Sequence, residues 1–94
     1  MAQVIWTNGA LSDLVDIAEY IEKDSPKYAQ ITVKKLYNKV EILNTQPKLG
    51  CIVPESDNNN IRELIEGDYR IIYEIISHQI HILTVHHSSR ILNI

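Results

Sequence analysis

The sequence predicts an α+β domain in which a helical hairpin lies on one face of an antiparallel sheet. Two stripes of apolar residues recur at helical spacing between Ala10 and Leu43. Three runs rich in Ile, Val and Tyr then follow between Ile61 and Val85, parted by breaks so short that only antiparallel neighbours can be joined. A length of 94 residues allows one core and not two, so helices and strands must share it.

Gln3 to Trp6 is a short apolar stretch that reads as a first strand, ended by Thr7-Asn8-Gly9, where Thr7 or Asn8 can accept from the free N–H groups of a helix start. The first stripe is Ala10, Leu11, Leu14, Ile17, Ala18 and Ile21, with acids at 13, 16, 19 and 22 on other faces and Asp13 well placed for the positive end of the helix dipole. Asp24-Ser25-Pro26 stops this helix and starts the next, since Pro at the first helical position has no N–H to lose and Ser25 can cap it. Ala29, Val33, Leu36, Val40 and Leu43 form the second stripe, with Thr32 and Tyr37 alongside. Burying each Leu or Ile of the hairpin against the sheet is worth roughly 1.5–3 kcal/mol, which makes the hairpin integral to the fold.

Asn44 to Asn60 reads as a long loop, broken by Pro47, Gly50, Pro54 and the run Asp57-Asn58-Asn59-Asn60. The three-stranded meander follows: Ile61 to Ile65, Tyr69 to Ile76 and Ile80 to Val85, joined through Gly67-Asp68 and Ser77-His78-Gln79 and closed by His86-His87-Ser88-Ser89. The near-continuous middle run is expected to be covered on both faces. Residues 1–94 thus form one domain of order β-α-α-loop-β-β-β, with the N-terminal strand joining the sheet and Leu14, Ile17, Val33, Leu36, Val40, Ile72, Tyr73 and Leu83 in the core.

A formal net charge of −3 argues against a general nucleic-acid binder. Charge is unevenly spread: residues 1–24 hold five acids against Lys23, and residues 27–48 hold five lysines against Glu41. The single Cys51 excludes an intramolecular disulfide, fits a reducing cytoplasm and is expected to be an inert, buried small hydrophobe. No signal peptide or membrane-spanning window is evident, and His78, His81, His86 and His87 lack metal-ligand spacing, so neither a metal nor another cofactor is expected. The only arginines, Arg62, Arg70 and Arg90, fall in or beside the meander, where any polar chemistry is expected.

Several segments together carry a family resemblance: Val4-Ile5-Trp6-Thr7, Asp24-Ser25-Pro26, Leu49-Gly50 with Val53-Pro54-Glu55, Ile61-Arg62-Glu63-Leu64, Gly67-Asp68-Tyr69-Arg70-Ile71-Ile72-Tyr73, and Val85-His86-His87-Ser88-Ser89-Arg90. In this order and spacing they resemble the RelE/ParE superfamily of toxins from bacterial type II toxin–antitoxin (plasmid stabilisation) systems, across essentially the whole chain. The resemblance implies that fold, a cytoplasmic setting and a cognate antitoxin, whose flexible part binds by strand addition or by laying an amphipathic helix in a groove. It also implies one of two targets. RelE-like members cut messenger RNA on the ribosome; ParE-like members poison DNA gyrase and are not known to be catalysts.

The ending from His87 to Arg90 has the ParE-like form, and no tyrosine follows Arg90, which makes gyrase the expected target and Arg62, Arg70, His87 and Arg90 the expected functional residues. Under the nuclease alternative, similar to the YoeB-like branch, Glu55, Arg70 and His87 would be the catalytic set, supplying an acid–base pair and a cation for the phosphate. A third alternative is a non-toxic protein-binding module of the same fold. Plainer roles are also open to these residues. Arg70 can pair across strands with Glu63 or Glu74, the histidines can be solvated, and Tyr69 and Tyr73 can be core.

Overall fold

The computed structural model describes residues 1–89, which run β1 (Gln3–Trp6), α1 (Asn8–Glu22), α2 (Pro26–Lys39), a 3-10 turn (Val40–Asn44), β2 (Cys51–Ile52), β3 (Ile61–Glu66), β4 (Tyr69–Ile76) and β5 (Gln79–His87). The strands form one sheet in the order β1-β5-β4-β3-β2. β2, β3, β4 and β5 pair antiparallel in succession, while β1 lies parallel to β5, with Gln3 opposite Gln79 and Trp6 opposite Ile82. The expected meander is therefore the centre of a larger mixed sheet, and the N-terminal strand does join it.

Both helices cover one face. Ala10 and Leu14 of α1 and Leu36 of α2 pack with Val40 and Leu43 against Leu64, Ile71, Tyr73, Ile80, Ile82 and Val85 of the sheet. The opposite face carries a smaller cluster, Val53, Ile61 and Ile72 with Leu83 against it, which the segment after β2 covers. Because successive strand residues point to opposite faces, Ile72 and Tyr73 of β4 fall into different clusters, and Arg70 to Tyr73 are all buried. Of the expected core, Ile17, Val33 and Leu83 are half-buried at its margins.

Thr7 caps α1: its hydroxyl accepts from Ala10 N at 3.3 Å and donates to the Ile82 carbonyl at 2.6 Å, so one side chain starts the helix and ties it to β5. Ser25 caps α2 by accepting from Tyr28 N at 3.1 Å, with Pro26 in the first turn as expected.

Two readings of the connections are corrected. The stretch read as loop contains β2, which pairs Cys51 with Glu63 and Ile52 with Arg62. Both β2 residues are exposed, so Cys51 is a free surface thiol rather than a buried hydrophobe: a two-residue edge strand has nothing packed over it. β5 also reaches further in both directions than its apolar run, taking in Gln79, His86 and His87 and leaving a two-residue turn at Ser77-His78.

The segment before β2 is fastened from below. The hydroxyl of the fully buried Tyr73 donates to the Pro47 carbonyl at 2.7 Å and accepts from Gly50 N at 2.9 Å. Arg62 donates through Nη1 to the Gly50 carbonyl at 3.0 Å and to the Lys48 carbonyl at 3.3 Å.

Burial pushes the Tyr73 phenol above its ordinary value of 10.0, against an opposing contribution from the Gly50 N–H, and burial also raises Tyr69. A phenol with a raised folded-state pKa stabilises the fold fully below its unfolded value of about 10, and that stability is lost as pH rises through the folded value. Thermal melts taken from pH 8 to pH 11 should be flat to about pH 10 and then fall, with the fall shallower in Tyr73→Phe. A wild-type melting curve unchanged across that range would contradict this.

Candidate functional site

Arg70 is 7% exposed and is the one buried charged residue among those described. It points away from the helices, on the face of the smaller apolar cluster, because its neighbour Ile71 belongs to the helix-side core. Two carboxylates meet it. Glu55 accepts bidentately, from Nη1 at 2.9 Å and from Nη2 at 3.0 Å, and Glu63 accepts from Nε at 2.7 Å.

Each partner has a local reason for its position. Glu63 lies on β3, beside the strand that carries Arg70. Glu55 is delivered by a turn anchored on buried Val53, whose N–H donates to the Ile61 carbonyl at 3.2 Å and whose carbonyl accepts from Ser56 N at 3.2 Å. Hydrogen bonding to Glu55 pushes the guanidinium pKa upward, outweighing the opposing effect of burial, and Glu63 adds to it. Arg70 is therefore permanently charged. Among the described residues two carboxylates hold this one guanidinium, and a carboxylate-paired guanidinium attracts a phosphate less than a free one.

The remaining candidates do not converge on this point. His87 is exposed and lies on the helix side of the sheet, opposite Tyr69 in the register, with its ring edge-on to Tyr69 at a centroid distance of 5.8 Å. The histidine opposite Arg70 in the register is His86. Glu55 and Arg70 are thus in contact, whereas His87 points to the other face. Arg62 stands opposite Tyr73 and serves the Lys48–Gly50 backbone; its Nε is buried without a hydrogen-bond partner. Arg90 lies outside the described residues. Of the two plainer pairings for Arg70, Glu63 is made; Glu74 instead accepts from Asn58 Nδ2 at 3.3 Å. No group of His, Cys, Asp or Glu suited to hold a metal occurs among the described residues.

One polar tie was invisible in the sequence. Asp13 Oδ2 on α1 accepts from the Thr84 hydroxyl at 2.6 Å and from Val85 N at 3.0 Å, capping the edge of β5 beyond the reach of β1. Nothing local links residues 71 positions apart. Asp13→Ala strips both donors of their acceptor and should cost about 1–3 kcal/mol, read as a lower urea midpoint at unchanged slope; an unchanged midpoint would show that water replaces the carboxylate at no cost.

Comparison with known proteins agrees with this architecture. The family model described as the ParE toxin of type II toxin–antitoxin system, parDE, matches residues 4–92. Toxin RelE2 of Caulobacter vibrioides is 34% identical over 92 residues, which cover 97% of this chain and 100% of the relative. Among solved structures, the chromosomal ParDE toxin–antitoxin system from P. aeruginosa superimposes with a TM-score of 0.77 at 24% identity, covering 93% of this chain and 96% of that one. The RelBE2 toxin–antitoxin complex of Mycobacterium tuberculosis superimposes with a TM-score of 0.57 at 20% identity, covering 92% and 96% respectively. The fold is that of the RelE/ParE superfamily of toxins, and the chain belongs within it to the ParE toxin family of type II toxin–antitoxin systems.

Proposed function

We propose that this toxin acts by poisoning DNA gyrase and is held in check by a cognate antitoxin. The observation that carries the choice of target is the pairing of Arg70 with both Glu55 and Glu63. Metal-independent RNA cleavage needs a base, an acid and uncompensated positive charge around the phosphate. Among the described residues the sheet arginine is paired with two carboxylates, and His87 faces the opposite side. A gyrase poison needs only a surface complementary to a protein. The net charge of −3 is compatible with that and unfavourable for a protein that settles on ribosomal RNA.

The outer groove of the helical hairpin suits the antitoxin. Ala18, Ala29, Val33 and Tyr37 line an apolar trough between α1 and α2, flanked by Lys34. Leu11 and Val15 add 42% and 55% exposed apolar side chains along α1. An amphipathic helix with an acidic edge fits this surface, and its binding should weaken with salt. The ParDE and RelBE2 neighbours are themselves toxin–antitoxin systems, which supports such a partner.

Messenger RNA cleavage remains the second reading, favoured by the direct contact of Glu55 with Arg70 and by His86 as Arg70's cross-strand neighbour. Both activities should be assayed on one preparation. Gyrase inhibition with trapped cleaved DNA and intact translated messages is the expected result. Ribosome-dependent message cleavage, lost by roughly 10²–10⁴-fold in Glu55→Ala, would overturn the gyrase reading in favour of the nuclease. Strong expression without growth arrest would favour a non-toxic binding module.

A further inference from the structure

We propose that the cleft between α1 and the end of β5 is a docking site for a basic, arginine-bearing segment of a protein partner. The cleft holds about 580 Å³ and is lined by Asp13, Asp16, Tyr20, Tyr69 and His87 among others, with no Lys or Arg among its described lining residues. Thr84 and Val85 fix Asp13 in place. Asp16 is exposed and makes no hydrogen bond or ion pair among the described residues.

The aromatic component is independent of the acids. Tyr20, which lines the cleft with Tyr69, is 73% exposed, unusually open for a large ring. Tyr20 already receives a cation, with Lys23 Nζ at 5.8 Å from the ring centroid. Exposed tyrosines of this kind anchor protein interfaces.

Carboxylates beside tyrosine rings select guanidinium over other groups. It pairs bidentately with a carboxylate and stacks on an aromatic face, which an ammonium does less well and a phosphate cannot do. The same charges repel nucleic acid, so the occupant is a protein segment. At 3.6 residues per turn, Tyr20 lies nine positions from Leu11 and therefore on the far side of α1 from the interhelical groove. The cleft stays accessible when an antitoxin helix fills that groove, and its assignment does not rest on which target the toxin attacks.

The test uses the purified full chain, amide resonances as readout, and three short capped peptides alternating Gly with Arg, Lys or Glu. The Gly-Arg peptide should shift resonances of residues 13–20 and of Tyr69, bind more tightly than Gly-Lys, and weaken with added salt; Gly-Glu should leave these resonances unmoved. Asp16→Asn should weaken Gly-Arg binding about tenfold and Tyr20→Ala about two- to fivefold, while Tyr20→Phe retains it. Both positions are exposed, and circular dichroism will verify that the variants fold.

Equal binding by wild type and Asp16→Asn would overturn the proposal. So would displacement of the peptide by a single-stranded RNA of similar length, or self-association of the chain through the same resonances. Peptide binding only after Arg90→Ala would assign the cleft to the chain's own arginine and equally overturn it.

Discussion

Replacing Gly50 with alanine is expected to lower the melting temperature by roughly 10–20 °C. A Cβ at this position would stand 2.5 Å from the Glu63 carbonyl oxygen, 2.7 Å from the Tyr73 hydroxyl and 2.8 Å from Tyr73 Cε1. None of these can easily retreat. The Glu63 carbonyl belongs to β3, and the Tyr73 hydroxyl is fastened to the Pro47 carbonyl in the fully buried core. Moving residue 50 outward instead would break its hydrogen bond to Tyr73 and strip Arg62 of an acceptor. Overpacking of this kind costs about 1–3 kcal/mol, in a domain of this size a large part of the total. Gly67→Ala is the control: its positive φ of 59° carries strain, but a Cβ there meets nothing within 4 Å. Calorimetric melting points of the two variants decide the matter. A Gly50→Ala value within a few degrees of wild type would show that the loop yields.

Arg70→Ala is expected to cost about 3–5 kcal/mol, because it removes the guanidinium that the partly buried Glu55 and Glu63 carboxylates share. Arg70→Lys should recover only part of this, since a single ammonium cannot replace a fork that serves Glu55 with two nitrogens and Glu63 with a third. The informative variant combines Arg70→Met with Glu55→Gln and Glu63→Gln. Neutralising all three removes the stranded charge and should restore most of the stability, by analogy with other buried ion pairs exchanged for uncharged groups. A gyrase poison should then still arrest growth, because it uses Arg70 only to hold its shape. A nuclease that needs the guanidinium at the phosphate should stay inactive however well the triple variant folds. Denaturant melts and a growth assay on the same set separate the two.

The helices and the meander were legible in the sequence because each is specified locally. Ser25-Pro26 marks a helix start in adjacent residues, the stripe from Ala29 to Leu43 repeats at the helical period, and Gly67-Asp68 leaves room only for a tight turn. β2 was not legible: its two residues sit between Gly50 and Pro54, too few to show alternation. Whether His86 or His87 shares a face with Arg70 depends on the β4–β5 register, which shifts at Ile72/Tyr73 and cannot be counted from the sequence. Glu55 and Arg70 were legible only as candidates. Their meeting depends on how a loop with two prolines returns over the sheet, and a second carboxylate, Glu63, accepts from the same guanidinium.

The parallel pairing of β1 with β5 sets the order in which this protein can assemble. Thr7 bonds to Ile82 across 75 positions, so the first strand waits for β5 to be made. At roughly 5–20 residues per second of synthesis, α1 and α2 emerge seconds before the central strands against which they pack. Closure over so long a span carries a high contact order and is slow compared with helix formation. Neither the cleft beside β5 nor a completed sheet exists on a half-made chain. Any activity that needs the finished sheet is thereby withheld until translation has passed β5, and on the proposed reading the hairpin is open to an antitoxin for that whole interval.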